Sequence, residues 1–143
     1  MKKNLYLVFA IIIFTLIYSC DNDQVEKKYK DYNSAFNSGI FDAKWIPEEL
    51  ISKDMSNIYL RTNIDINTCF FAYSTKDSNV DSISRLLSSI KCHVKKPMGI
   101  DVPRELLTQA ERLDFYLLKQ KDMNDSVFIA VDKNAKMILG LRK

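Results

Sequence analysis

The sequence predicts an α+β domain, an antiparallel sheet of about five strands with helices packed on one face. Three observations lead there. Asn57 to Thr62 and Thr68 to Ser74 are rich in Ile, Tyr, Thr and Phe and flank a short polar turn, the pattern of a hairpin. Val127 to Asp132 and Lys136 to Leu141 repeat the pattern around Lys133-Asn134-Ala135. Between the two pairs, Val80, Ile83, Leu87 and Ile90 recur at helical spacing, so 78–91 reads as an amphipathic helix.

Ahead of that domain, Lys2 and Lys3 lead into an apolar run, Leu5 to Tyr18, broken only by Thr15. Polarity returns abruptly at Asp21-Asn22-Asp23-Gln24, so the order is that of a secretory signal. A helix over Leu5 to Cys20 would span roughly 24 Å, short of a hydrocarbon core of about 30 Å. No Lys/Arg cluster follows to stop transfer. The small residue Ser19 directly before Cys20 resembles the lipobox of bacterial lipoproteins of the Bacteroidota type. The resemblance implies a cleaved signal peptide over 1–19 and an acylated Cys20 as the first mature residue. It also implies a tether over 20–26 and a single domain over 27–143, held outside the cytoplasm. Two or more acyl chains anchor stably where one is marginal. Which membrane, and which of its faces, stays open.

Composition excludes some classes of function. The net charge of +3 includes both leader lysines, too weak an electrostatic footprint for a nucleic-acid partner. Three glycines and three prolines leave little room for a Gly-rich phosphate loop or a low-complexity linker. If Cys20 is acylated, Cys69 and Cys92 remain, an even pair in an oxidising compartment. A disulfide between them would contribute about 3 kcal/mol on the chain-entropy model. The alternative is two unpaired thiols, with Cys69 a small buried apolar residue.

In chain order, Val25, Tyr29, Tyr32 and Phe36 are spaced as one apolar face, predicting a helix from about Asp23 to Asn37 that Gly39 ends. Glu48-Glu49-Leu50 reads as a helical turn at most. Asp65 and Asn67 supply the turn of the first hairpin. Asp77 or Ser78 can cap the 78–91 helix, and Cys92 to Gly99 reads as a loop. Pro103 opens a short third helix. Leu113 to Gln120 fits helix or strand; Phe115-Tyr116 favours a strand, and Lys121 to Asp125 a turn.

The succession Gly39-Ile40-Phe41, Trp45-Ile46-Pro47, Leu50, a Ser/Asp-x-x-x-Ile stretch, Asp65-Ile66-Asn67 and an aromatic strand is similar to the YbbD head-domain family. That family is a small extracytoplasmic domain of unknown function found in several lipoproteins. The resemblance spans Gly39 to Tyr73 and, more weakly, the last hairpin. The family usually carries a basic residue or His before the Asp-x-Asn turn, where this chain has Asn63-Ile64, and Phe stands for a Trp near the second strand. The family has no assigned chemistry, so the resemblance carries over no catalytic residue.

The residues themselves suggest no assembled chemistry. Cys92-His93 with Cys69 falls short of a four-ligand zinc set, and neighbouring Cys and His side chains diverge rather than form a nucleophile–base pair. Asp65-x-Asn67 lacks the glycine and distal Glu of a calcium loop. Asp125-Ser126-Val127 matches a short O-glycosylation pattern, with Ser126 the acceptor. Trp45, Asp65 and Asn67 are the candidate surface or ligand contacts. No cofactor, metal or catalytic residue is expected. The expected function is that of a lipid-anchored, non-enzymatic envelope module contacting an envelope protein or surface ligand. The alternatives are a protective lipoprotein linked to a secreted toxin, or a hydrolase or carbohydrate-binding accessory protein.

Overall fold

The computed structural model describes residues 24–95, 102–119 and 126–143. Its strands are β1 (Gln24–Asp31), β2 (Ser56–Asn63), β3 (Thr68–Ser74), β4 (His93–Val94), β5 (Phe115–Lys119), β6 (Ser126–Asp132) and β7 (Met137–Arg142). The helices are α1 (Tyr32–Asn37), α2 (Asp77–Ser88) and α3 (Arg104–Arg112), with a 3-10 turn at Glu48–Leu50. Among the described residues the strands form one antiparallel sheet in the order β1-β2-β3-β7-β6-β5-β4. β7 is the centre: it joins the β1-β2-β3 meander to the β6-β5-β4 meander.

The sheet has seven strands rather than about five, and its helices lie on both faces. β3 explains the second point. Thr68 to Tyr73 are all buried, so the strand is apolar on both sides and each side needs a cover. Phe71, Tyr73, Ile129 and Ile138 face α1, the 3-10 turn and α2, which contribute Ala35, Leu50, Ile83 and Leu87. Phe70, Ala72, Leu139 and Leu141 face α3, which contributes Ala110, Leu106 and Leu107.

The largest departure from the sequence reading is at the start. Residues 24–31, expected as the first half of a helix, are β1, in register with β2 from Gln24↔Asn63 to Asp31↔Ser56. Residues 24–26, expected in the tether, already belong to that strand. The spacing of Val25, Tyr29, Tyr32 and Phe36 fits a helix, but seven strand pairings outweigh it; helix propensity is a weak prior against tertiary context. Helix begins only at Tyr32, where Asp31 and Ser34 form a reciprocal cap: Ser34 N donates to Asp31 Oδ1 at 2.9 Å and Asp31 N to Ser34 Oγ at 3.2 Å. Gly39, at φ +71°, lies just past the helix end in the left-handed conformation glycine favours.

Elsewhere the expected strands hold within a residue or two. The stretch after Cys92, expected as a loop, contains β4, whose His93 and Val94 pair with Tyr116 and Phe115. Lys76, not Asp77 or Ser78, occupies the N-cap of α2, and no side chain caps it. Asp77 instead accepts from Lys136 Nζ at 2.9 Å, tying α2 to the β6–β7 turn. The leader, Cys20 and the expected 121–125 turn lie outside the described residues. Among the described residues, no helix is long and apolar enough to cross a membrane.

Candidate functional site

The two cysteines do not meet. Cys69 is buried in β3, Cys92 is exposed just before β4, and both are free thiols. Four strand spacings separate β3 from β4 in the sheet, about 19 Å at the usual interval, far beyond the reach of a disulfide. Burial pushes the Cys69 thiol up to about 12, which makes it the small buried apolar residue of the alternative reading. His93 is exposed beside the Tyr116 ring, 5.8 Å between centroids. Among the described residues no group of His, Cys, Asp and Glu is arranged to hold a metal ion.

Trp45 is half-buried against the α1/α2-side core. The Arg142 guanidinium lies 5.8 Å from its ring centre and also donates to the Lys44 carbonyl. One face of the indole is thus engaged by a cation from within the molecule. Asp65 and Asn67 are exposed in the β2–β3 turn. Asn67, at φ +49°, donates its N–H to the Ile64 carbonyl at 3.3 Å, and Ile66 N donates to Asn63 Oδ1 at 3.3 Å. These bonds make a turn, as the Asp-x-Asn sequence suggests. Ser126 is half-buried at the start of β6, its N–H and C=O both paired with Lys143.

A recess that sequence reading missed lies on the other face of the sheet. α3 covers β7 and its neighbours but stops short of the β1 edge, leaving a cleft of about 440 Å³. Tyr59, Ala72, Leu106 and Met137 give it an apolar floor and wall, and Lys28, Lys30 and Glu105 a charged rim. Antiparallel pairing sets this up, because partners project to the same face: Glu26 opposes Arg61, and Lys28 opposes Tyr59. Lys28 Nζ sits 5.2 Å from the Tyr59 ring centre and 3.6 Å from Glu105 Oε1, so one ammonium bridges sheet and helix. Tyr59 packs edge-on against Phe70 at 5.9 Å.

Beside the cleft, Arg61 Nε donates to Glu26 Oε1 at 2.7 Å, and Nη2 donates to the same oxygen. The Arg61 bond, then the nearby Tyr59 hydroxyl, hold the Glu26 carboxyl below its ordinary value. Burial, then the Glu26 carboxylate, push the Tyr59 phenol up to about 12. Tyr59 Oη is close enough to feel that carboxylate, although no partner meets it at hydrogen-bonding geometry. At the cleft's other end the register slips between Ser56 and Tyr59, and Asn57 takes a left-handed φ of +49°. Such a bulge re-aims side chains where a strand borders a site, and asparagine tolerates that conformation better than most residues. The Asn in "Ser56-Asn57-Ile58" was the one sequence signal available for it.

This arrangement can recognise; it holds no assembled nucleophile and base among the described residues. Across its rim Lys28 pairs with Glu105, and both side chains are exposed, 67% and 56%. Exposed pairs contribute about 0–1 kcal/mol, so an incoming charged group can replace either partner at little cost. Three lysines on β1 (Lys27, Lys28, Lys30) blunt the sheet edge against addition of another strand.

Fold and cleft together define a small antiparallel-sheet domain with helices on both faces and a recess beside one edge. Residues 23–74 match the YbbD head domain family, which supports a YbbD head-like domain over that stretch. The matched residues take in β1, α1, the 3-10 turn, β2 and β3, the half of the sheet on one side of β7. No curated protein and no solved structure matches the chain.

Proposed function

We propose that the chain is an extracytoplasmic lipoprotein of the bacterial envelope, anchored through acylated Cys20, whose domain binds a partner protein or surface ligand in the cleft between α3 and β1. It acts by contact, without catalysis of its own. The observation that carries this reading is Lys28: its ammonium lies over an aromatic floor and holds only an exposed, exchangeable partner in Glu105. A site of that kind offers an aromatic anchor, Tyr59, of a type enriched at binding hot spots, and beside it a cation ready to take a carboxylate. The apolar run Leu5 to Tyr18 and the Ser19-Cys20 junction support the anchor.

Two measurements test the two parts. Intact mass of the membrane-extracted protein should give a chain beginning at acylated Cys20, and the Cys20→Ser variant should lose the acyl mass. An unmodified chain beginning at Met1 removes the lipoprotein reading. For the cleft, a photo-crosslinking residue at Asn57 should give one discrete adduct in cells, abolished by Lys28→Glu. The same residue at Lys53, which does not line the cleft, should give none. Equal labelling from both positions overturns the cleft as the binding site.

A further inference from the structure

We infer that the β2–β3 turn end of the sheet rests on the bilayer, so that the domain stands upright on its anchor with the β6–β7 turn pointing away. The inference rests on the anchored reading above and adds an orientation and a contact surface to it.

The turn presents two large aliphatic side chains to solvent, Ile64 at 66% and Ile66 at 59% exposure. Turns ordinarily carry polar residues, and among the described residues nothing covers this pair. The register places the start of β1 at the same spot: Gln24 lies opposite Asn63, the residue that opens the turn. Four residue steps separate Gln24 from Cys20, at most about 14 Å of extended chain. Whatever holds Cys20 or the apolar run before it in a membrane therefore holds Ile64 and Ile66 close to that membrane's surface.

The neighbouring side chains at this end fit the same occupant. Val25, 40% exposed, is in register with Thr62, Cys69 and Arg142 in one row across the sheet. Half-buried Trp45 lies over the Arg142 member of that row. Lys44 and Lys143 are exposed beside it. Isolated aliphatics, a Trp with one polar neighbour and flanking lysines are what a lipid headgroup region accepts. Asp65 is the acid in the turn itself, so the contact should be apolar rather than electrostatic. The β6–β7 turn at the opposite end is Lys133-Asn134-Ala135-Lys136, all exposed and without a large apolar side chain; the exposed apolar ring nearest that end, Phe36 of α1 at 59%, is stacked on Tyr32.

The full chain, reconstituted in phosphatidylcholine–phosphatidylglycerol vesicles whose acyl chains are brominated, tests this directly. In a Trp45→Phe background, an Ile64→Trp chain should lose emission to the bromines and shift to the blue, while an Asn134→Trp chain should show neither change. Because Trp45 is the chain's one tryptophan, a second test needs no new fluorophore. Native Trp45 should be quenched by the same lipids, and Ile64→Asp with Ile66→Asp should relieve the quenching without altering the far-ultraviolet circular dichroism. Chains that float with the vesicles yet show equal emission from positions 64 and 134 overturn the docking and leave the anchor standing. Chains that fail to float overturn the anchor, and the docking with it. A blue shift at position 64 without bromine quenching assigns the turn to a protein neighbour or a second copy, and likewise overturns the lipid contact.

Discussion

Tyr73 Oη donates a hydrogen bond of 2.7 Å to the carbonyl of Leu50, and both groups are buried. The bond joins the middle of the sheet to the 3-10 turn after Trp45-Ile46-Pro47, a segment whose backbone runs over the core. Burial also raises the phenol's pKa, so it stays a donor throughout the range in which the protein is folded. Tyr73→Phe keeps the ring and orphans the carbonyl. The expected loss is about 1–3 kcal/mol, read as a lower midpoint in urea with an unchanged slope.

Gly140 of β7 faces Phe71 of β3 in direct register. A Cβ at Gly140 would overlap Cζ and both Cε atoms of the phenyl ring. Neither ring nor strand can yield, because Phe71 is fully buried and β7 is paired on both sides. Gly140→Ala should therefore cost about 1–3 kcal/mol by overpacking. Adding Phe71→Leu should recover part of that loss, and a denaturation double-mutant cycle measures the recovery. Simple additivity of the two changes would show that the ring does not occupy this space.

The two domain thiols should behave very differently. Cys92 is exposed, whereas Cys69 is buried with its pKa pushed up to about 12. At pH 8 a thiol of that pKa is roughly one part in ten thousand thiolate, and the thiolate is the reactive form. A maleimide added to the folded protein should modify Cys92 within minutes and Cys69 only in denaturant, with peptide mass spectrometry locating the adduct. Recovery of a Cys69–Cys92 disulfide peptide from native protein would contradict the strand order.

Acid should loosen the β1 edge. Arg61 lowers the folded pKa of Glu26 below its ordinary 4.5. The folded state thus binds fewer protons here than the unfolded one, so stability rises with pH across this window. The contribution is complete above about pH 4.5 and is lost as pH falls through the folded value. Glu26→Gln should lower stability near neutrality and flatten its dependence on pH below 4.5. Wild-type and variant curves that stay parallel down to pH 2 would show that the pair contributes nothing.

Much of the sheet was legible in the sequence because the β2–β3 and β6–β7 hairpins declare themselves by local chemistry. Their strands are rich in β-branched and aromatic residues, and Asp65, Asn67 and Asn134 mark their turns. β1 was not legible. Its lysines and wide apolar spacing satisfy a helix template, and only the presence of β2 makes it a strand. The Asp31-Tyr32-Asn33-Ser34 cap was the one local sign that helix starts about nine residues later than the periodicity suggests. The cleft was less legible still. It needs Lys28 from β1, Tyr59 from β2 and Glu105 from α3, three residues that no spacing rule connects. Trp45, Asp65 and Asn67, singled out by residue type, lie instead at the turn end of the sheet.

The central place of β7 has a consequence for how the protein is made. This strand follows both its partners in the chain, so during synthesis β1-β2-β3 and β6-β5-β4 can each assemble only as half a sheet, with the Phe71 and Phe70 faces both unfinished. Folding should therefore wait for residues 137–142 and then proceed in one concerted step. On the anchored reading proposed above, a chain threaded through a translocation channel would stay extensible until β7 emerged on the far side, and only then become too stable to slip back.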